Sequence, residues 1–326
     1  MQADTIFSIQ NDTDFERLAL RVFNHQYHNN VIYQRFCNLL GITKTSVKHI
    51  DNIPYLPIQF FKQEKIVSTQ SLIHKIFTSS GTTGSITSKH YVSDISVYEK
   101  SFRKGFQHFY GDITEYVVLA LLPSYLEREG SSLVYMAEKL IEDSKHPKSG
   151  FYLHDIKKLV NTLQQLIAKG EKILLLGVSF ALLDLVENYD LQLNETTIVM
   201  ETGGMKGRRK EIIREELHQI LKKGFGINKI HSEYGMTELL SQGYSKGDGI
   251  FYCPPWMKVS IRNPEDALTL LPKNKTGGVN IMDLANINSC SFIATQDLGK
   301  VYTDGSFEII GRFDHSDIRG CNLMAL

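Results

Sequence analysis

The chain has 326 residues, of which 42% are hydrophobic and 22% are charged, a composition typical of a globular protein with a sizeable core. Lysine and arginine together number 36, as do aspartate and glutamate, so net charge gives no general attraction to nucleic acid. No window approaches the roughly 20 apolar residues of a membrane-spanning helix, and residues 1–14 lack a signal-peptide pattern, so we expect a soluble cytoplasmic protein.

The first part of the chain predicts helices followed by an extended segment. Apolar residues recur at helical spacing over residues 12–40, which indicates amphipathic helices. Pro54 and Pro57 favour an extended segment at 51–61. An apolar run at 73–77 then predicts a strand.

Strands and helices are expected to alternate over residues 93–222. A continuous apolar run predicts a buried strand at 116–122, and two further strands are predicted at 172–176 and 197–200. Amphipathic segments predict helices at 93–109, 131–142, 155–169, 180–188 and 210–222. This alternation predicts a parallel sheet with right-handed crossovers.

After residue 249 the pattern changes to short apolar runs separated by turn residues. These runs lie at 251–252, 258–262, 278–284, 290–294 and 299–310. They predict a smaller β-rich subdomain.

A loop rich in glycine and hydroxyl side chains follows the strand at 73–77. Residues 78–84 contain five hydroxyl side chains and two glycines. Glycine lets the backbone approach a ligand closely, and successive N–H groups in such a turn bind anions. It is not a Walker P-loop, because no Gly-Lys-Ser/Thr follows Gly84. Lys89 is the nearest cation after Gly84, and the alternatives are a phosphate-binding loop and an ordinary polar turn.

Three further polar segments follow predicted strands, where open α/β sheets bind their ligands. Residues 201–209 contain a Gly-Gly pair and several cations, which suit either an anion site or a solvated turn. In residues 231–238, Tyr234 can stack on a planar ring and Glu238 can hold Mg²⁺. Core packing and a charge at a helix start are the alternatives for these two residues. Asp297, expected just after a strand, can accept hydrogen bonds from a ribose or simply begin a turn.

Together, the four segments resemble the adenylate-forming superfamily, which includes acyl-CoA synthetases, luciferases and peptide-synthetase adenylation domains. The resemblance runs from about residue 77 to residue 320 and rests on Ser-Ser-Gly-Thr-Thr-Gly (79–84), Gly-Gly (203–204), Tyr-Gly-Met-Thr-Glu (234–238), Asp297 and Gly-Arg-Phe-Asp (311–314). Within the superfamily, the chain is most similar to the acyl-protein synthetases of bacterial bioluminescence. This narrower resemblance rests on the short chain and on residues 89–90, 121–128, 130–133 and 319–323.

The resemblance implies an α/β fold in which parallel sheets are flanked by helices. An adenylation domain would cover residues 1–312, with the β-rich subdomain at about 250–312 and a hinge-like segment and tail at 313–326. Most relatives carry a further C-terminal domain with a lysine that aids adenylation, and we expect this domain to be largely absent. Lys89, Lys206 or Arg208 would then replace that lysine, adenylation would be slow, or a partner would supply the missing part.

The resemblance also implies that the protein uses ATP and Mg²⁺ to convert a carboxylic acid, with a fatty acid favoured, to an acyl-adenylate. The implied phosphate-binding residues are Ser79, Ser80, Gly81, Thr82, Thr83 and Gly84, with Lys89 nearby. The implied nucleoside-binding residues are Gly203, Gly204, Tyr234, Gly235, Met236, Asp297 and Arg312. Thr237 would contact the α-phosphate and Glu238 would hold Mg²⁺. Thr83, Lys89, Thr237 and Glu238 are thus the implied catalytic residues, together with one cysteine.

That cysteine is Cys321, which matches the acyl acceptor of the bioluminescence synthetases. The neighbouring Arg319 would lower the pKa of its thiol, although an inert thiol is the alternative. Cys37, Cys253 and Cys290 lie in apolar or aromatic surroundings and are expected to fill the core. Other acceptors would be coenzyme A, as in phenylacetate–CoA ligases, an acyl carrier protein or an acyl reductase. A nucleotide-binding scaffold without activity is the remaining alternative.

Overall fold

The structure is a computed structural model that describes residues 3–79, 86–123, 129–203 and 212–313. The chain divides into two compact units. Unit 1 contains Met1–Leu72 and Pro255–Leu326, and unit 2 contains Ile73–Pro254. Unit 1 is therefore built from both ends of the chain.

Unit 2 contains a mainly parallel sheet, as the alternating pattern predicts. In chain order its strands are β4 (Val117–Leu121), β5 (Gly150–Phe151), β6 (Ile173–Gly177), β7 (Thr197–Glu201), β8 (His231–Tyr234), β9 (Gly243–Ser245) and β10 (Phe251–Tyr252). Their spatial order is β5-β4-β6-β7-β8-β9-β10, with parallel pairing from β5 to β8 and antiparallel pairing from β8 to β10. Every residue of β4 and β6 is buried, because layers cover both faces of a central parallel strand.

The helices of unit 2 connect these strands. They are α4 (Ile95–Tyr110), α5 (Ser132–Ser144), α6 (Ile156–Ala168), α7 (Ser179–Asn188) and α8 (Arg214–Phe225). Asp94, Ser131 and Asp155 cap α4, α5 and α6 by accepting a hydrogen bond from a backbone N–H of the first turn. A separate antiparallel hairpin of β2 (Lys75–Thr78) and β3 (Lys89–Val92) precedes α4.

Unit 1 contains an antiparallel sheet. Its strands β11 (Met257–Arg262), β12 (Thr276–Asp283), β13 (Phe292–Val301) and β14 (Phe307–Arg312) pair in that order. The short strand β1 (Leu56–Pro57) adds to β13 in parallel. Helices α1 (Asp12–Asn29), α2 (Val31–Leu39) and α3 (Phe60–Gln63) complete the unit.

Buried amides connect the helices of unit 1 to the segment before β13. The Gln26 side chain donates to the carbonyl oxygens of Asn286 (2.9 Å) and Ile287 (3.1 Å) and accepts from the Ser291 N–H (3.0 Å). Asn30 caps α2 and also donates to the Ser289 carbonyl oxygen (3.0 Å). Because neither amide is exposed, these bonds fix the position of α1 and α2 against the sheet.

Several boundaries differ from those predicted. The segment at 51–61 is not fully extended, since a 3₁₀ turn covers Ile50–Asn52 and α3 begins at Phe60. Helix α8 begins at Arg214 and not at residue 210. The prediction of separate strands at 290–294 and 299–310 is wrong. Strand β13 continues without a break to Val301, and a turn at 302–306 separates it from β14.

Cysteine burial agrees with expectation at two of three positions. Cys37 and Cys290 are fully buried, and burial raises the pKa of each thiol to about 12. Cys253 is only partly buried, contrary to expectation. No helix within the described ranges is long and apolar enough to cross a membrane.

Candidate active site

The β2–β3 hairpin holds both ends of the glycine- and hydroxyl-rich loop. Its last pair is Thr78 opposite Lys89. Beyond this pair, the Ser79 N–H donates to the Ser88 carbonyl oxygen (3.1 Å), and the Ser88 N–H donates to the Ser79 hydroxyl (2.9 Å). The Thr78 N–H donates to the Gly130 carbonyl oxygen (2.7 Å), so the loop starts from a fixed position. The implied phosphate-binding residues Ser80, Gly81, Thr82, Thr83 and Gly84 lie outside the described residues.

One hydrogen bond connects this hairpin to the Tyr-Gly-Met-Thr-Glu motif. His90 on β3 is fully buried, and its Nδ1 lies 2.9 Å from the carbonyl oxygen of Thr237. A carbonyl oxygen can only accept, so Nδ1 carries the proton. The structure therefore brings Ser79 and Lys89, at the two ends of the loop, into the same region as Thr237.

The motif itself follows the carboxyl end of β8. Tyr234 is 8% exposed and packs edge-on against Phe251, with ring centroids 5.9 Å apart. A Cβ on Gly235 would lie 2.4 Å from Oε1 of Glu233, so only glycine fits without moving that carboxylate. A turn closed by the Leu239 N–H and the Met236 carbonyl oxygen (3.1 Å) contains Thr237 and Glu238.

Glu238 is the candidate ligand for Mg²⁺. It is only 5% exposed, and a buried carboxylate needs a cation or hydrogen-bond donors to remain charged. Within the described ranges, no group of three His, Cys, Asp or Glu side chains forms a complete metal site. A single buried carboxylate is compatible with Mg²⁺, which commonly takes one or two protein carboxylates and completes its shell with phosphates and water.

A buried glutamate at the end of β7 organises the segment that carries Gly203. Glu201 is 2% exposed, and its Oε2 accepts from the Gly203 N–H (2.6 Å) and the Ser179 hydroxyl (3.3 Å). Its Oε1 accepts from Arg214 Nε (3.4 Å) and lies 3.7 Å from His218 Nε2. Gly203 has a φ of +67°, which favours glycine, and Gly204 lies outside the described residues.

The surroundings of Glu201 stabilise its negative charge. Burial alone would raise its pKa, but hydrogen bonds from His218, Ser232 and the Gly203 backbone, with the charge of Arg214, lower the pKa to about 2. The hydroxyl of Thr202, next to Gly203, is buried and has no hydrogen-bond partner among the described residues. This segment therefore offers a fixed backbone and an available hydroxyl, which fit a nucleotide.

Asp297 and Arg312 lie in unit 1. They occupy opposite positions on β13 and β14, and Arg312 Nε donates to Asp297 Oδ1 (3.0 Å). Asp297 is 5% exposed, whereas the Arg312 side chain is 79% exposed. The expectation that Asp297 follows a strand is wrong, because β13 continues to Val301 and places Asp297 within it.

Three residues with structural roles at the candidate site were missed. Glu201 ends an apolar strand and was read as part of a loop, and His90 had no motif of its own. Arg262 was read only as the end of a short strand. It is 9% exposed and donates to the carbonyl oxygens of Val279 (2.7 Å) and Thr295, next to the strand segment that carries Asp297. A polar residue ending an apolar run was the available signal for Glu201.

Comparison with known families identifies the chain. The family model described as "Acyl-protein synthetase, LuxE" matches residues 6–115 and 129–325. Residues 121–128, used above for the narrower resemblance, fall in the gap of this match. A curated relative, the long-chain-fatty-acid–luciferin-component ligase of Vibrio harveyi, is 22% identical, and the alignment covers 94% of this chain and 86% of the relative.

Two solved structures illustrate the shared fold. ATP-bound MatB from Rhodopseudomonas palustris has a TM-score of 0.55 and 17% identity, over 74% of this chain. This chain spans only 48% of MatB. A 2-hydroxyisobutyryl-CoA ligase in complex with 2-HIB-AMP and CoA has a TM-score of 0.70 and 12% identity, over 93% of this chain and 70% of the ligase. At these identities the likeness concerns the fold, and it confirms the predicted fold class.

The family match includes the Tyr-Gly-Met-Thr-Glu motif, the residues of the Glu201 network and the Asp297–Arg312 pair. It also includes the segment at 319–323, whose structure lies outside the described residues. The chain therefore belongs to the acyl-protein synthetase (LuxE) family, as its motifs predict, and the predicted class of ATP-dependent acid–thiol ligase goes with that family.

Proposed function

We propose that the protein activates a fatty acid with ATP and then transfers the acyl group to a thiol. The observation that carries this proposal is the hydrogen bond from His90 to the Thr237 carbonyl oxygen, because it joins the hairpin of the phosphate-binding loop to the motif that carries Glu238. Membership of the LuxE family and the long-chain fatty acid in the name of the Vibrio harveyi relative support the substrate class.

In the first step, a carboxylate oxygen of the acid attacks the α-phosphorus of ATP. The bond between the α-phosphorus and the bridging oxygen breaks, and pyrophosphate leaves. Such a displacement depends on positioning and on neutralising phosphate charge, not on a protein nucleophile. Mg²⁺ would supply much of that neutralisation, and Glu238 would hold it.

The remaining contacts are those that the family resemblance implies. The loop at 79–84 would bind the β- and γ-phosphates, with Lys89 as a nearby cation. Gly203, Gly204 and Tyr234 would border the adenine, with Gly235 and Met236 beside it. Thr237 would contact the α-phosphate, and Asp297 with Arg312 would bind the ribose hydroxyls.

In the second step, a thiolate attacks the acyl carbonyl carbon, and the carbon–oxygen bond to AMP breaks. We propose Cys321 as this thiol, within the segment that the family model matches. Coenzyme A or the thiol of a carrier or reductase protein would serve in the same chemistry. The two kinds of acceptor differ in whether the protein itself gains mass.

The full chain tests both steps. Pyrophosphate release would be measured with Mg-ATP and a panel of fatty, aromatic and amino acids, followed by intact-mass analysis of the protein. We expect release with fatty acids, and one acyl adduct that is absent in Cys321→Ser and retained in Cys253→Ser, the control at a partly buried cysteine.

Two results would contradict the proposal at different steps. If no acid in the panel causes pyrophosphate release, the proposal that the protein activates a carboxylic acid is wrong. Pyrophosphate release with an unchanged adduct in Cys321→Ser would leave activation intact but remove Cys321 as the acceptor.

A further inference from the structure

A cavity of about 380 Å³ lies wholly within unit 1, and none of its lining residues is among those assigned above to ATP. It is bounded by the segment at 41–55, the loop at 267–270 and strand β12. Its volume falls in the range of small-molecule sites. The wall is mixed, with the apolar side chains of Ile42, Val47, Ile53 and Leu270 beside polar ones.

Asn280 forms the buried end of this cavity. It is 0% exposed, whereas Leu268, at the other end of the lining, is 60% exposed. Oδ1 of Asn280 accepts from Arg262 Nη1 (2.9 Å), and only the oxygen of the amide can accept. The amide orientation is therefore fixed, and the Nδ2 group has no hydrogen-bond partner in the described part of the chain. A buried donor without an acceptor favours a ligand that brings an oxygen.

Tyr55 lies over the same face of the sheet. Its hydroxyl is 3.1 Å from the Ser260 hydroxyl, and Ser260 is the cross-strand partner of Asn280. Directly opposite residues of an antiparallel pair point to the same face. Tyr55, Ser260 and Asn280 thus form one polar patch on this face.

The charge behind this patch is positive. Arg262 is 9% exposed, and its bonds go to Asn280 Oδ1 and to two backbone carbonyl oxygens. Burial lowers its pKa to about 10, so it stays protonated at neutral pH, and the nearby charge of Asp297 favours that form. Among the described residues no carboxylate forms an ion pair with Arg262, since Asp297 pairs with Arg312. Asp51, the acid in the lining, is on the exposed side.

We propose that this cavity is a second ligand site, which binds a small aliphatic monocarboxylate with its oxygens toward Asn280 and its chain along Ile42 and Ile53. The Nδ2 group of Asn280 supplies the hydrogen bond and Arg262 supplies the charge. The apolar side chains of the wall contact the hydrocarbon chain. The site is separate from the proposed catalytic function, and it is tested without ATP.

The probe is sodium octanoate, titrated into the full chain carrying ¹³C-labelled isoleucine methyl groups. Ile42 and Ile53 report on the cavity, and Ile42→Val and Ile53→Val assign their signals. We expect both methyl signals to shift saturably with octanoate and not with octylamine. This local readout separates the cavity from any octanoate bound at the catalytic site.

Two variants and one control decide whether the cavity is responsible. Asn280→Asp keeps the oxygen that accepts from Arg262 but replaces the donor with an acidic oxygen, so octanoate affinity should fall at least tenfold. Ala267→Trp places a large ring at an exposed position of the lining and should also lower affinity tenfold. Asn24→Asp makes the same charge change at an exposed position of α1 and should bind like the parent.

The proposal is overturned if millimolar octanoate produces no saturable shift of the two methyl signals, or if Ala267→Trp binds octanoate as tightly as the parent. Unchanged affinity in a folded Asn280→Asp would also overturn it, because the carboxylate would then not be recognised by Asn280. If Asn280→Asp fails to fold, the octanoate affinity of Ala267→Trp alone decides whether the proposal stands.

Discussion

The two regions that carry the predicted nucleotide contacts differ in how the sheet presents them. In unit 2 the site residues follow the ends of parallel strands, as Gly203 follows β7 and Thr237 and Glu238 follow β8. In unit 1, Asp297 and Arg312 lie within antiparallel strands and face each other across a pair. In unit 2, loops after the strands therefore present backbone groups and side chains. In unit 1, an ion pair is presented by two hydrogen-bonded strands.

This difference explains which sites could be predicted from the sequence. A parallel strand must end before its crossover, so polar residues after an apolar run mark the carboxyl edge of the sheet. In β13 the second half alternates, with Asp297, Gly299 and Val301 buried and Leu298 and Lys300 half-buried. Because a charged residue faces inward there and an apolar one does not, the pattern indicated a loop where a strand continues.

The largest expected effect is on the unit 2 side. Glu238→Gln removes the charge proposed to hold Mg²⁺ and should lower the rate of pyrophosphate release by about 100-fold or more. The matched control is Glu115→Gln, whose side chain is 53% exposed and pairs with Lys172. A Glu238→Gln variant that is folded and as fast as the control would exclude Glu238 from the reaction.

The next effect concerns the support of the Gly203 segment. Glu201→Gln removes the charge that Arg214 and His218 surround, and breaking such a buried pair should lower the free energy of unfolding by about 3 kcal/mol. Urea denaturation measures this loss, and Glu195→Gln, at an exposed position before β7, should cost little. If both variants lose the same small amount of unfolding free energy, the contacts of Glu201 do not stabilise the fold.

A smaller effect is expected on the unit 1 side. Asp297→Asn removes a charged acceptor for the ribose hydroxyls and should raise the KM for ATP about tenfold while changing kcat less, because a hydrogen bond to a charged group is worth about 1.5–3 kcal/mol. Arg312→Met, at a largely exposed side chain, should change KM by less than about threefold, since exposed pairs contribute 0–1 kcal/mol. A larger effect for Arg312 than for Asp297 would reverse this ranking.

The smallest effect is a pH dependence that originates beside β8. His231 lies 3.2 Å from the Tyr110 hydroxyl, and burial together with the charges of Lys246 and Lys229 lowers its pKa from 6.5 to about 4. The unfolded chain therefore binds a proton at higher pH than the native chain, so stability falls as pH decreases from 6.5 to 4. We expect thermal unfolding to depend less on pH in this window for His231→Gln than for the control His108→Gln.

Glu201 is expected to affect stability in a second, lower pH range. Its pKa is lowered from 4.5 to about 2, so its contribution to stability is complete above pH 4.5 and is lost as pH falls toward 2. Glu201→Gln should flatten the stability profile only in this lower window. Loss of the dependence at pH 6.5 to 4 in that variant would contradict the assignment to His231.

The sequence was sufficient for the parallel sheet, because apolar runs such as 117–122 and 173–176 are typical of strands buried on both faces. The order of the motifs was sufficient for the family. It was not sufficient for contacts that depend on distant residues, such as His90 with Thr237, 147 positions apart. The cavity at Asn280 was also beyond the sequence, since a single asparagine in a strand gives no sign that its amide lacks an acceptor.

The most direct test of the central claim is isotope exchange between labelled pyrophosphate and ATP, because exchange requires reversible formation of an acyl-adenylate. With Mg²⁺ and a fatty acid, the full chain should support exchange that depends on the acid and falls at least 100-fold in Glu238→Gln. Exchange that is absent with every acid, or equal in the parent and in Glu238→Gln, would contradict the account.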